Sequence, residues 1–180
     1  MKPKISISVC ILISLALVLF GLIYGTVSGF ADDRAQVTAL LNGESGLMSV
    51  LNYRAADGFN LCVVARRHLA KDADVTRLET ASRNLQVSGG SLSAKKQEDA
   101  KLSAAAALVG QKLKETPSFQ QSARDKAYLE MLVTDMEQLS QTAVADTYNN
   151  AAKDFNRLLD APLSGALAQI LGVKPCELYQ

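Results

Sequence analysis

The chain has 180 residues, of which 48% are hydrophobic and 21% are charged, and its formal net charge is +1. This length suits one membrane segment and one modest folded domain, because a second independent core would need a longer chain. Lys2 and Lys4 precede the first apolar run, so the rest of the chain carries 17 basic and 18 acidic residues. This balance excludes an electrostatic surface for nucleic acid, which needs a surplus of basic residues to neutralise phosphates.

The first predicted element is an apolar helix that spans a membrane. Residues 5–27 contain no charged side chain, and a helix of this length covers about 34 Å, slightly more than the hydrocarbon core of a bilayer. We therefore expect a retained transmembrane helix over residues 5–29. The alternative is a cleaved signal peptide, because Gly29-Phe30-Ala31 offers small residues at a suitable spacing. Signal peptides, however, have shorter apolar runs of about 7–15 residues.

Charged residues on either side of this segment predict its orientation. Lys2 and Lys4 precede it, and Asp32 and Asp33 follow it. Because basic residues flanking a membrane helix tend to stay in the cytoplasm, we expect the N-terminus to lie inside. The predicted organisation is a cytoplasmic N-terminus, a span of the bacterial inner membrane and a periplasmic domain, at residues 1–4, 5–29 and 30–180.

The outer half of the span contains three regularly spaced glycines. Gly21, Gly25 and Gly29 recur every four residues and therefore share one helical face. Small residues at this spacing let two membrane helices approach closely. We predict a helix–helix interface there, either with a second copy of the chain or with the helix of a partner. The alternative is that glycine is simply common in membrane helices.

The rest of the chain predicts an all-α domain, because apolar residues recur at intervals of three and four. A first segment carries an apolar stripe from Met48 to Leu69, with Arg54 in water, and we expect it to end at Gly89-Gly90. A second helix is predicted over residues 93–114. A long third helix follows, with Thr116 as its N-cap and Pro117 as its first residue.

A break at Ala161-Pro162 separates the third helix from a short last helix, Leu163–Leu171, which Gly172 closes. The tail from Lys174 is expected to be extended. Helices with one apolar face must bury those faces against one another, so we predict an elongated antiparallel bundle of three to four helices.

Two C-terminal motifs carry a family resemblance. Residues 148–156 read YNNAAKDFN and residues 172–175 read GVKP. In these elements the chain resembles the LemA family, and Arg54-Ala55-Ala56-Asp57 is similar to the R-R-x-D element of that family, with Ala55 in place of one arginine. The resemblance implies a membrane-anchored helical bundle with an accessory role. It implies fold and location rather than a reaction.

The sequence reveals no catalytic set and no cofactor motif. His68 is the only histidine, so we predict neither a histidine metal cluster nor a Ser-His-Asp triad, and we expect His68 to be solvated on a helix face. The cysteines lack zinc-ligand spacing, and the glycines lack the context of a phosphate-binding loop. We therefore expect no metal or cofactor. Cys62 and Cys176 are expected to be separate thiols, with a disulfide as the alternative.

The YNNAAKDFN motif contains the densest group of polar residues in the C-terminal half. On a helix, this motif has one packing face and one hydrogen-bonding face. We predict that its polar strip fastens the helix to the bundle, with partner docking as the alternative. The strip consists of Tyr148, Asn149, Lys153, Asp154 and Asn156.

Together these features favour an envelope structural or interaction protein without catalytic activity of its own. Its expected partners are the lipid bilayer and a membrane or periplasmic protein, or a second copy of the chain through the transmembrane helix. The alternative is a periplasmic sensor or ligand-binding module, which would act through a membrane partner because residues 1–4 leave no room for a cytoplasmic output domain.

Overall fold

The computed structural model describes residues 6–87, 89–140 and 143–180. In these ranges the chain is helical and contains no strand, which confirms the all-α class. Lys2 and Lys4, on which the predicted orientation rests, lie outside the described residues. The helices are α1 (Ile7–Asn42), α2 (Leu47–Arg66), α3 (Ala73–Gln86), α4 (Leu92–Glu115), α5 (Pro117–Gln120), α6 (Ala123–Ser140), α7 (Val144–Leu159) and α8 (Ser164–Ile170).

Helix α1 is long and apolar enough to cross a membrane. It has 36 residues and continues without a break through Gly29-Phe30-Ala31. The large apolar side chains from Ile7 to Val27 are exposed, and the first buried residue of the helix is Phe30. The apolar part of α1 therefore lacks protein packing, whereas its C-terminal part is packed.

The chain divides into two compact units. Unit 1 comprises the residues up to Thr38 together with Ala151–Cys176, and unit 2 comprises Ala39–Asn150 together with Glu177–Gln180. Helices α2 to α6 thus belong wholly to unit 2, and α8 belongs to unit 1.

In unit 2, α2 packs against α3, α4 and α6, and α3 also packs against α4. Helix α2 comes so close to its neighbours at Gly58 that a Cβ atom there would collide with the side chains of Ser82 and Leu102. A larger residue at this position would force these two side chains to shift where α2 meets α3 and α4. The fully buried core side chains of unit 2 include Leu51, Leu61, Leu78, Leu85, Leu102, Val109, Leu113 and Phe119.

Turns divide two of the predicted helical segments. The first segment breaks after α2, and α3 restarts at Asp72, whose side chain accepts a hydrogen bond of 2.7 Å from the Asp74 amide. The N-cap interaction fixes the new helix start. The predicted third helix is three helices, α5 to α7, and Ser122 Oγ accepts a hydrogen bond of 3.2 Å from the Asp125 amide at the start of α6.

The predicted role of Thr116 is only partly correct. Helix α5 begins at Pro117, but it has four residues, and no Thr116 side-chain bond caps it. The Thr116 hydroxyl instead donates to the Lys112 carbonyl, at 2.8 Å, at the end of α4. This threonine therefore ends one helix through its side chain while its backbone precedes the next.

In unit 1, aromatic packing joins α1 to α7. The Phe30 and Phe155 rings make an edge-to-face contact with centroids 6.1 Å apart. Helix α8 ends at Ile170, and two residues later Gly172 has a φ of 89°, the left-handed conformation that commonly follows a helix C-terminus. The following Val173 amide donates back to the Ala168 carbonyl at 3.0 Å. Beyond this turn, residues 173–180 form neither helix nor strand.

Candidate functional site

The predicted glycine face of α1 is open in unit 1. Gly21, Gly25 and Gly29 are exposed, and a Cβ atom at any of them would have no neighbouring atom within 4 Å. A second helix would meet no side chain at these three positions. The geometry therefore leaves room for close helix approach.

In unit 2, the first two residues of the polar strip hold the end of the chain. The Tyr148 hydroxyl donates to the Glu177 carbonyl at 2.6 Å. The Asn149 amide group makes a reciprocal pair with the backbone of Tyr179, donating to its carbonyl at 2.9 Å and accepting from its N–H at 2.8 Å. The side-chain amide of Asn149 thus satisfies a backbone N–H and a backbone carbonyl that no helix or strand pairs.

In unit 1, Asn156 makes the same reciprocal pair with Cys176. Its Nδ2 donates to the Cys176 carbonyl at 2.8 Å, and its Oδ1 accepts from the Cys176 N–H at 2.7 Å. Lys153 and Asp154 are exposed, and Asp154 pairs with Arg157 on the same helix at 3.0 Å. The strip therefore divides into residues that bind the chain's own tail and residues that face solvent.

Arg54 is buried, so the prediction that it lies in water is wrong. Only 2% of this residue is exposed. Its guanidinium donates to Asp99 Oδ1 at 2.6 Å, to Ser103 Oγ at 2.7 Å and to the carbonyl of Met136. Burying an arginine is tolerated only when its donors are satisfied. These bonds connect α2 to α4 and α6.

Tyr179 reaches the same ion pair from the tail. Its hydroxyl donates to Asp99 Oδ2 at 3.1 Å, and the Lys96 ammonium lies 4.9 Å from its ring centroid. Burial, and next the Asp99 charge, raise the pKa of the Tyr179 hydroxyl far above its usual range. The hydroxyl therefore remains protonated and acts as a hydrogen-bond donor. The penultimate residue of the chain is part of the polar core of unit 2.

His68 is not solvated, which corrects the sequence prediction. Its side chain is 8% exposed and lies against the edge of Phe119, with centroids 5.4 Å apart. Nδ1 lies 2.9 Å from Ser118 Oγ, and Nε2 lies 2.9 Å from Asp125 Oδ2. The fold thus brings together a hydroxyl, an imidazole and a carboxylate that are far apart in the sequence.

The neighbours of Asp125 indicate what this group does. Arg67 Nη1 donates to the other carboxylate oxygen at 2.6 Å. The His68 hydrogen bond contributes most to lowering the pKa of Asp125, and bonds from Ser122 and Arg67 lower it further. The carboxylate is therefore shared between a cation and the imidazole, and the group connects the end of α2 to α5 and α6.

The cysteines are free thiols. Cys62 is buried, and its Sγ lies 3.7 Å from the Val75 carbonyl. Burial, followed by the nearby Glu79 charge, raises the pKa of the Cys62 thiol to about 11. Cys176 is partly exposed.

A groove of about 650 Å³ lies between α4 and α6. Ala106, Ala107 and Gly110 form one wall, and their small side chains leave the space open. Lys114 and Lys126 line the groove where α4 ends and α6 begins. The helical periodicity of the sequence does not predict this groove.

Comparison of the chain with protein-family models, curated proteins and solved structures finds no significant match. Among the described residues, no group of three or more histidine, cysteine, aspartate or glutamate side chains is placed to hold a metal ion. In its described residues, the structure defines the class of protein as all-helical, with one helix long and apolar enough to span a membrane.

Proposed function

We propose that this protein is a single-pass, membrane-anchored envelope protein of LemA type that acts by binding another protein. In this proposal, residues 5–29 span the inner membrane and residues 30–180 lie in the periplasm. The observation that carries it is the change in packing along α1, where apolar side chains are exposed up to Val27 and protein packing begins at Phe30. A bilayer is the solvent that such an exposed apolar helix requires.

The contacts of Asn156 support the LemA-type assignment. This residue belongs to the YNNAAKDFN motif, and it pairs with Cys176, which directly follows the GVKP motif. Hydrogen bonds in unit 1 therefore join the first of these elements to the residue that follows the second.

The orientation is tested with reporters fused after Gln180 in bacterial cells. An alkaline phosphatase fusion should be active, because that enzyme matures outside the cytoplasm, whereas a green fluorescent protein fusion should be dark. Fluorescence of the second fusion with an inactive first one would contradict the proposed orientation. Mass measurement of the intact chain distinguishes a retained anchor from a cleaved signal peptide.

The proposed partner is reached through the glycine face. Changing Gly21, Gly25 and Gly29 together to isoleucine adds bulk to this face and should abolish crosslinking to a membrane partner or to a second copy. The matched control is Ala16→Ile, because Ala16 lies nine residues from Gly25 and thus half a turn around the helix. Equal crosslinking by the wild-type chain and both variants would refute the interface.

The α4–α6 groove favours a second candidate function, a ligand-binding module. Its occupant would be an amphipathic molecule with an apolar body along Ala106, Ala107 and Gly110. An anionic end would lie near Lys114 and Lys126, which outnumber the one carboxylate in the lining, Glu130. A photoreactive fatty acid added to the chain in lipid nanodiscs should then label α4 or α6. Labelling should be lost in Ala107→Phe, which fills the groove, and a pattern spread over the whole domain would exclude this function.

A further inference from the structure

Unit 1 exposes apolar side chains outside the candidate span. Leu163 is 88% exposed and Ile170 is 81% exposed, at the two ends of α8, and Leu158 and Leu171 are 47% and 40% exposed. Isolated exposed leucines are ordinary, but a short helix with large apolar residues at both ends is an unusual surface for water. This surface needs an apolar environment.

The same part of unit 1 lies against the end of the apolar run of α1. Val27, Phe30 and Arg34 of α1 and Leu171 and Lys174 of the tail line one cavity of about 330 Å³. The Arg34 guanidinium donates to the Lys174 carbonyl and lies 5.8 Å from the Phe155 ring centroid. The segment after α8 therefore has a fixed position along α1.

This position corresponds to a definite depth if α1 spans a bilayer. Arg34 lies seven residues beyond Val27, or about 10 Å along the helix axis. The polar headgroup layer on each side of a bilayer is roughly 5–8 Å thick. Val27 would then lie at the edge of the hydrocarbon layer, and Arg34 would lie near the outer limit of the headgroups. Leu171 and Lys174, which share the cavity with these residues, must lie in the same layer.

The charges of the cavity fit lipid phosphates. Both charged residues in its lining, Arg34 and Lys174, are cations, and Lys174 is exposed. Basic side chains beside a membrane surface attract anionic lipid headgroups. Apolar side chains next to such cations are typical of surfaces that insert into the interfacial region.

We propose that α8 and the following turn form a second membrane contact, in which Leu163, Ile170 and Leu171 enter the outer leaflet and Arg34 and Lys174 bind a phospholipid phosphate. This inference rests on the proposed membrane anchoring of α1. The contact would fix unit 1 against the bilayer surface instead of leaving it free to rotate on a single helix.

The test uses the absence of tryptophan from the natural sequence. Single-tryptophan variants of the full chain are placed in vesicles that contain brominated phospholipids, which quench tryptophan at short range. Ile170→Trp and Leu163→Trp report on α8, Leu17→Trp reports on the span, and Leu108→Trp is an exposed control in unit 2. We expect quenching of the first three and little quenching of the control.

The outcomes separate the two proposals. If Leu17→Trp is quenched but neither α8 variant is, the second contact is refuted and the anchor remains. If Leu17→Trp is also unquenched, the membrane anchor itself is refuted, and the second contact with it. Quenching of Leu108→Trp as strong as that of Ile170→Trp would mean that the domain adsorbs without a specific surface, which also refutes the proposed contact.

A charge variant tests the phosphate site. In the Ile170→Trp background, replacing part of a zwitterionic phosphatidylcholine bilayer with phosphatidylglycerol should favour the inserted state. One basic residue near an anionic surface changes such an equilibrium about fivefold. Lys174→Gln should reduce this gain about fivefold, because Arg34 remains, and it keeps the carbonyl that Arg34 binds. The exposed control Lys153→Gln should keep the full gain. Equal gains in both variants would refute the phosphate site.

Discussion

Arg54→Met should destabilise unit 2 far more than the same change at Arg66 on the same helix. The Arg54 side chain is 3% exposed and its partner Asp99 is 20% exposed. Removing one member of a buried ion pair costs about 3–5 kcal/mol, because the other charge is left without its partner. Asp99 retains the Tyr179 hydroxyl, so we expect about 3 kcal/mol, at the lower end of this range. The exposed Arg66–Glu79 pair should contribute less than about 1 kcal/mol.

The buried Cys62 thiol provides the assay. With Cys10 and Cys176 replaced by alanine, the full chain in detergent reacts with a thiol reagent only when unit 2 opens around Cys62. If reclosing is faster than labelling, the labelling rate is proportional to the equilibrium constant of opening. Arg54→Met should accelerate labelling roughly 150-fold, and Arg66→Met less than about fivefold. Similar rates in the two variants would refute the assignment of Arg54 as a buried, partnered cation.

Three further predictions concern pH and charge. Burial, and next the charge of Asp135, raise the pKa of Asp57. Ionisation of this carboxyl therefore destabilises the fold at a pH above its pKa in the unfolded state. Asp57→Asn should increase resistance to urea at pH 7. The pKa of Cys62, raised to about 11 by burial, means that the folded state retains this proton longer than the unfolded state. Stability should therefore fall between about pH 9 and 11, and Cys62→Ala should lessen the fall in urea titrations. The pKa of Asp125 is lowered, first by its hydrogen bond with His68. The ionised carboxylate therefore stabilises the fold above its pKa in the unfolded state, and this stability is lost as the pH falls through its pKa in the folded state. Asp125→Asn should reduce stability at pH 7 and flatten the acid limb of a thermal melting series.

Local signals were sufficient to predict the class of the fold and several of its boundaries. The apolar run gives α1, and the three-four periodicity gives α4, observed over Leu92–Glu115 and predicted over residues 93–114. Gly89, Gly90 and Gly172 have positive φ and lie at predicted helix ends. These features depend on neighbouring residues, so the sequence alone contains them.

The division of the long predicted helices depends on weaker local signals. Asp72 and Ser122 are N-cap residue types, but each lies within an apolar periodicity that continues on both sides. A cap contributes about 1 kcal/mol, so it starts a new helix only where tertiary packing favours a turn. At the end of α2, that packing comes from the contacts of His68 with Ser118 and Asp125, which are distant in sequence.

The polar contacts could not be predicted, because they join residues far apart in the chain. Arg54 and Asp99 are 45 residues apart, and His68 and Asp125 are 57 residues apart. On a helical wheel Arg54 is simply a charged residue, and charged residues are rarely buried unless paired. Only the crossing of α2 with α4, at Gly58 and Leu102, brings that partner within reach.

The tail contacts bear directly on where a partner would bind. Tyr148 and Asn149 already bond to the backbone of Glu177 and Tyr179, and a protein that docked on them would have to displace a tyrosine that is 4% exposed. Displacement would also remove the Tyr179 hydroxyl from Asp99, whose pairing with Arg54 is buried. Such binding would open the polar core of unit 2 and weaken the complex by the cost of that opening. The glycine face of α1 has no such cost, because its glycines have no neighbour to displace. The proposed interaction role is therefore better assigned to the candidate membrane helix than to the YNNAAKDFN motif.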